Sequence, residues 1–184
     1  YVQWNNLAFA VYSKTGEKLY PADGYAAGNT LWQGFGGPCE SIHMPDAAAW
    51  KKLRASLRLI VSRVRARSPQ ARLVFVDYAT ILPPGTPCSR APMSDADAGV
   101  ARRLAARLAQ ITADVARESG ADLLAASKLT RDHHACAADP WMNGMAAPGP
   151  DAPAAPFHPK LAGMTAVADA LDRLLAADHQ GAGL

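Results

Sequence analysis

A single histidine, His158, stands between two prolines in the run Pro156-Phe157-His158-Pro159. Proline fixes its own backbone angle φ and restricts the residue before it, so this loop has few alternative conformations. A general base needs a rigid loop of this kind, because its ring must stay within hydrogen-bond reach of the proton that it removes. The pattern therefore indicates that His158 is a general base, the alternative being a histidine that only ends a loop.

The segment after this loop predicts a helix that anchors it. Apolar residues recur at helical spacing from Met164 to Leu175, which is typical of a helix with one buried face. We expect that face to consist of Met164, Val167, Leu171, Leu174 and Leu175. Such a helix would hold His158 at a fixed place in the fold.

The elements upstream alternate between helix and strand patterns. A helical stretch from Trp50 to Ala66 is followed by the apolar run Ala71 to Tyr78, in which Leu73 to Val76 predict a central parallel strand buried on both faces. A long amphipathic helix then runs from its cap residue Ser94 to Ser119 and stops at Gly120. The run Ala121 to Ala126 is a second, weaker strand candidate. This order predicts an α/β fold with a mainly parallel sheet covered by helices.

Four sequence blocks occur along the second half of the chain in a fixed order. They are Arg65 to Tyr78, Pro87-Cys88, His133 to Cys136 with Asp139-Pro140-Trp141, and Phe157-His158-Pro159 with Ala162-Gly163. Over roughly Leu53 to Leu175, the chain resembles the C-terminal half of secreted SGNH (GDSL-type) lipases and esterases. The resemblance implies a three-layer α/β/α sandwich and the hydrolysis of carboxylic esters. It also implies that His158 activates a serine nucleophile.

A glycine–asparagine pair precedes the first long helix. The run Ala27-Gly28-Asn29-Thr30 resembles the family's Gly-Gly-Asn-Asp block, whose asparagine side chain donates to the oxyanion of the tetrahedral intermediate. Losing one such donor costs about 10²–10³ in rate in hydrolases. The resemblance implies that Asn29 is the oxyanion donor, although the pair alone is also typical of a turn.

The serine nucleophile has two candidates, because no Gly-Asp-Ser motif occurs in the chain. Ser13 ends an apolar run, as the family's nucleophile does. The runs Leu7 to Tyr12 and Lys18 to Tyr20 nevertheless flank residues 13–17 in the pattern of a β-hairpin, which would make Ser13 a turn residue. Ser41, which follows a glycine-rich stretch, is the second candidate.

The acid of the catalytic triad is missing from its usual place. The family has an aspartate three residues before the histidine, and here that position is Ala155. A backbone carbonyl or Asp151 on the same loop could orient the ring instead. Either would fix the tautomer, although a carboxylate also stabilises the imidazolium.

The cysteines indicate the cellular compartment of the protein. Cys88 and Cys136 match family cysteines that form a disulfide, and each follows a candidate strand on its loop side. The alternative is a metal site made of Cys88, Cys136, His133 and His134, which lacks a compact chelating spacing. The third cysteine, Cys39, then has no predicted disulfide partner. A disulfide in a chain of this family predicts secretion.

Composition limits the other functions. The 184 residues suit one domain, with residues 1–26 as an atypical N-terminal segment, and no apolar run is long enough to span a membrane. A formal charge of +3, with arginines spread along helices, lacks the dense basic stripe of a nucleic-acid-binding protein. We therefore predict a secreted, monomeric hydrolase of small-molecule or lipid esters, without cofactor or metal. The alternatives are a catalytically silent binding domain of the same fold and a fragment that lacks the nucleophile.

Overall fold

Two parallel strands and the helices packed on them position the loop that carries His158. The computed structural model of the chain describes residues 2–3, 10–11, 44–145 and 156–177. Its elements after residue 43 are α1 (Ala47–Arg67), β3 (Val74–Val76), α2 (Asp95–Ser119), β4 (Asp122–Leu124), α3 (Ala126–Leu129), a 3-10 turn (Arg131–His133) and α4 (Leu161–Ala176). Near the N-terminus lie β1 (Val2–Gln3) and β2 (Ala10–Val11).

The long helix α2 begins and ends where its sequence predicts. The Ser94 side chain accepts a hydrogen bond from Asp97 N at 3.0 Å, and Gly120 ends the helix with a left-handed φ of 62°. A residue with a Cβ would be disfavoured at that φ, so glycine is the natural stop. Along the helix, the buried residues recur at helical spacing and include Leu104, Ile111 and Val115.

The strands β3 and β4 pair in parallel, which confirms the predicted α/β class. Val74, Phe75 and Val76 lie opposite Asp122, Leu123 and Leu124, respectively. Helix α2 packs against both strands, α1 packs against α2, and α4 packs against β4. Parallel strands joined by a helix in this way direct their C-terminal ends, and the loops that follow them, to one edge of the sheet.

Two predictions of burial are wrong. The strand β3 is not buried on both faces, because Val76 is 44% exposed. Among the residues that the structure describes, β3 pairs with β4 alone, and Val76 is its last residue, so this side chain lies at the end of the strand pair. The predicted apolar face of α4 is also exposed at its ends, by 52% at Met164 and 39% at Leu175, and the buried residue of that helix is Gly163.

The N-terminal strands form an antiparallel pair, in which Val2 lies opposite Val11 and Gln3 opposite Ala10. The sequence predicts an antiparallel hairpin that uses Leu7 to Tyr12, and β2 lies within that run. The partner observed is β1, and the predicted partner Lys18 to Tyr20 lies outside the described residues. Over the ranges described, no helix has both the length and the hydropathy needed to cross a membrane.

Candidate active site

His158 is exposed, and its ring is oriented by a main-chain oxygen. Its Nδ1 lies 3.0 Å from the carbonyl oxygen of Pro156. A carbonyl can only accept a hydrogen bond, so in the neutral ring this contact places the proton on Nδ1 and the lone pair on Nε2. A neutral imidazole of this tautomer can accept a proton at Nε2, as a general base must.

The residue between these two, Phe157, has an unusual backbone conformation. It has a φ of 59°, in the left-handed region that side chains other than glycine rarely adopt. Holding a phenylalanine there costs about 1–3 kcal/mol, which the surrounding contacts must offset. The turn at Phe157 brings the His158 ring back toward the Pro156 carbonyl.

A second segment, residues 141–145, holds the His158 loop in place, and we call it the strap. Asn143 N donates to the carbonyl oxygen of His158 at 2.8 Å, and Lys160 N donates to the carbonyl oxygen of Trp141 at 2.7 Å. Between them, Met142 and Pro159 form an antiparallel bridge. The main chain at His158 and at Lys160 is therefore hydrogen-bonded to the strap, so the prolines are not the only constraint on the loop.

Helix α4 approaches the strap closely because it carries Gly163 in its first turn. A Cβ placed on Gly163 would lie 2.8 Å from the carbonyl oxygen of Trp141 and 3.4 Å from the Met142 side chain. Met142 itself is 1% exposed, so it fills the space between helix and strap. The glycine thus allows the helix that follows His158 to contact the segment that clamps it.

The disulfide predicted from the family resemblance is present. Cys88 and Cys136 are bonded, with their Cα atoms 5.8 Å apart. The alternative metal site is wrong, because the bond removes both thiolates that it needs. Among the described residues, no group of three or more histidine, cysteine or acidic side chains is placed to hold a metal ion.

Two histidines lie beside the disulfide in sequence and have different surroundings. The His133 ring stacks on Trp141 with a centroid distance of 3.7 Å, and its Nδ1 lies 2.9 Å from the carbonyl oxygen of Asp139. The Nδ1 of His134 is buried, and no described residue hydrogen-bonds to it. This burial lowers the pKa of His134, so the neutral form is favoured.

A buried carboxylate at the end of β3 has a structural role. Asp77 accepts hydrogen bonds from Ser127 N at 2.8 Å and from Ser127 Oγ at 2.6 Å. It therefore ties the loop after β3 to the first turn of α3. Both carboxylate oxygens bond to Ser127, and the Nδ1 of His158 lies against the Pro156 carbonyl oxygen instead of an aspartate.

The other residues proposed for the site lie outside the described residues. They are Ser13, Asn29, Ser41 and Asp151, together with Cys39. Sequence reasoning missed the role of the strap. The block Asp139-Pro140-Trp141 is the signal in the sequence that lies next to the strap. The strap pairs with residues 158–160 through backbone groups, however, and residue types do not reveal such pairing.

Solved structures with a similar fold include two enzymes from Streptomyces. One is phospholipase A1 from Streptomyces albidoflavus NA297, with a TM-score of 0.59, 16% identity, and coverage of 79% of this chain and 62% of that one. The other is an extracellular lipase from Streptomyces rimosus, with a TM-score of 0.54, 19% identity, and coverage of 68% and 56%. The chain thus spans about three-fifths of the length of these relatives, and at such identities the likeness shows the fold alone.

Comparison at the level of sequence identifies the family. No curated protein sequence matches the chain. The pattern of the GDSL-like Lipase/Acylhydrolase family matches residues 25–166, which is most of the chain and includes both the strap and His158. The chain belongs to the GDSL-like Lipase/Acylhydrolase family.

Proposed function

We propose that this chain hydrolyses carboxylic esters by a Ser-His mechanism in which His158 is the general base. The observation that carries the proposal is the contact between His158 Nδ1 and the Pro156 carbonyl oxygen at 3.0 Å, which in the neutral ring places the lone pair on Nε2, the atom that accepts the proton. Membership of a lipase and acylhydrolase family supports the same chemistry.

In the proposed reaction, Nε2 of His158 takes the proton of a serine hydroxyl while the serine oxygen forms a bond to the ester carbonyl carbon. The carbonyl oxygen becomes an oxyanion, which the side-chain amide of Asn29 stabilises by donating a hydrogen bond. Collapse of this intermediate breaks the bond to the alcohol oxygen, which receives the proton from His158. Water then attacks the acyl-serine by the same steps, releasing the acid and restoring the serine, for which Ser13 and then Ser41 are the candidates.

The proposed substrates are lipid or small-molecule esters, met outside the cytoplasm. The similar structures are a phospholipase A1 and an extracellular lipase, which favours a fatty-acyl ester. The disulfide Cys88–Cys136 supports an oxidising compartment, because such bonds are rare in the cytosol.

The first test identifies the nucleophile. The chain would be treated with a fluorophosphonate probe and the labelled peptide mapped, since only an activated serine reacts. Label on Ser13 or Ser41 is the expected result. Absence of label on every serine, together with no hydrolysis of a short-chain nitrophenyl ester, would contradict the proposal and favour a silent binding domain.

The second test concerns the base. His158→Ala should abolish hydrolysis of the nitrophenyl ester and leave the melting temperature nearly unchanged, because the imidazole is exposed and packs little. Lys160→Ala is the matched control, since Lys160 is exposed on the same loop and holds the strap through its main-chain N–H. Hydrolysis by the His158 variant at the rate of the control would refute the role of the base.

A further inference from the structure

The strap that clamps His158 is itself held by the loop that carries Cys88. Met145 N donates to the carbonyl oxygen of Arg90 at 2.7 Å. The Arg90 guanidinium donates through Nη2 to the carbonyl oxygen of Ala137 at 2.7 Å, next to the disulfide partner Cys136. Arg90 therefore connects the strap with both loops that the disulfide joins.

The contact between strap and Arg90 depends on a glycine. A Cβ built on Gly144 would lie 2.6 Å from the Arg90 carbonyl oxygen and 2.8 Å from the Arg90 Cβ. Real Cβ atoms do not approach backbone atoms so closely, and the atoms in the way are not the far end of a flexible side chain. Only glycine lets the strap reach Arg90 at this position.

We propose that Gly144 and Arg90 are positioning residues that fix the place of the His158 imidazole through the strap. The path is short, because Gly144 follows Asn143, whose N–H is bonded to the carbonyl oxygen of His158. A shift of the strap away from Arg90 is transmitted to the main chain of the base itself. The inference rests on the proposed function, since it takes His158 as the base, and a misplacement of about 1 Å in such a group costs about 10²-fold in rate.

The kinetic test uses Gly144→Ala with Gly85→Ala as its matched control. A Cβ on Gly85, in the same loop region as Arg90, has no atom within 4 Å, so this variant makes the same chemical change without a clash. Gly144→Ala should lower kcat for a short-chain nitrophenyl ester by about tenfold or more and change KM by less than about threefold. Gly85→Ala should keep both constants within about twofold of the unaltered chain.

The second test measures hydrogen exchange and does not need activity. In Gly144→Ala the amides of Asn143 and Met145 should exchange about tenfold faster, because both donate within the strap contacts. The amides of the buried residues Ile111 and Val115 in α2 should keep their rates. Equal acceleration in α2 would mean that the substitution only lowers global stability, and the inference would be overturned.

The third test concerns the Arg90 side chain. Arg90→Met keeps the apolar stem and removes the donor to Ala137, so kcat should fall, whereas Arg90→Lys keeps a donor and should restore part of the loss. Equal kcat in the two variants would overturn the role of the guanidinium.

The outcomes separate this inference from the proposed function. If the unaltered chain hydrolyses no ester, the proposed function fails, while the exchange rates still decide whether Gly144 holds the strap. If the unaltered chain is active and Gly144→Ala has the kcat of Gly85→Ala, the positioning role fails and the function stands.

Discussion

His158 relies on a neutral main-chain oxygen for its orientation. The Pro156 carbonyl selects the tautomer that a general base needs, at an Nδ1 to oxygen distance of 3.0 Å. This carbonyl stabilises a positively charged imidazolium less than a carboxylate would, because a dipole attracts a positive charge more weakly than a full negative charge does. In the proposed mechanism, placement of the ring therefore matters more than in a full triad, and this placement depends on the backbone of Phe157.

A pair of substitutions at Phe157 tests this dependence. Phe157→Asn and Phe157→Val both remove the half-buried ring, but asparagine tolerates a φ of 59° and a β-branched residue does not. The valine variant should have a kcat lower by about tenfold or more than the asparagine variant, with the nitrophenyl ester as substrate. Equal kcat values would show that the left-handed turn does not set the position of His158.

At the scale of elements, local signals predicted the ends of helices better than their burial. Ser94 and Gly120 bound α2 because a side-chain cap and a left-handed stop act within one turn. The apolar spacing of α4 predicted its extent but not its contacts, since Gly163 packs against the strap while Met164 is exposed. Which face of a helix is buried depends on partners distant in sequence, and the same holds for Val76 at the end of β3.

Glycine-to-alanine substitutions in the two helices should have opposite effects. In Gly163→Ala the new Cβ would meet the Trp141 carbonyl oxygen at 2.8 Å, so overpacking should lower the free energy of unfolding by about 1–3 kcal/mol. In Gly99→Ala, within α2, the nearest atom is the flexible end of Arg103 at 3.5 Å, and the higher helix propensity of alanine should raise that free energy by about 0.5–1 kcal/mol. Urea unfolding measures both, and a gain of stability in the α4 variant would contradict the close approach to the strap.

The helices α1 and α2 are joined by ion pairs whose acids resist protonation. Hydrogen bonds from Gln110 and then from Arg54 lower the pKa of Asp114 from its ordinary value of 3.8. A hydrogen bond from Arg58, with the nearby charge of Arg54, lowers the pKa of Glu118 from 4.5. The distances are 2.8 Å from Arg54 to Asp114 and 2.7 Å from Arg58 to Glu118.

These shifts predict a loss of stability in acid. Both carboxylates have a lower pKa in the folded chain than in the unfolded chain, so the unfolded chain takes up protons first as the pH falls. The ion pairs therefore stabilise the folded chain above the ordinary pKa values of these groups, and this stabilisation is lost as the pH falls below those values. The double variant Arg54→Met, Arg58→Met should show a weaker fall in unfolding free energy between about pH 6 and about pH 3 than the unaltered chain. The control double variant Arg63→Met, Arg67→Met removes the same amount of charge at exposed positions of α1. Its unfolding free energy should fall with decreasing pH as steeply as that of the unaltered chain. Equal slopes in the two double variants would contradict the pKa shifts.

At the scale of the whole molecule, one covalent bond joins two loops that contact each other and the strap beside the proposed base, His158. The loop after β3 carries Cys88 and Arg90, and the segment after α3 carries Cys136. Main-chain hydrogen bonds add to this link, since Ala135 N donates to the carbonyl oxygen of Ile81 at 2.9 Å. Both loops lead away from the C-terminal ends of parallel strands, the edge at which sites of open α/β sheets form.

Removing the disulfide should therefore affect stability throughout the described fold. The bonded cysteines are 48 residues apart, and in the chain-entropy view closing a loop of that length stabilises the folded chain by about 4 kcal/mol. For a chain of this size, such a loss corresponds to a fall in melting temperature of about 8–16 °C. Thermal unfolding of the double variant Cys88→Ser, Cys136→Ser, followed by circular dichroism, measures it, and a reducing agent should lower the melting temperature of the unaltered chain by a similar amount. A fall of less than about 2 °C in the double variant would mean that the hydrogen bonds between the loops, and not the disulfide, hold this edge of the sheet together.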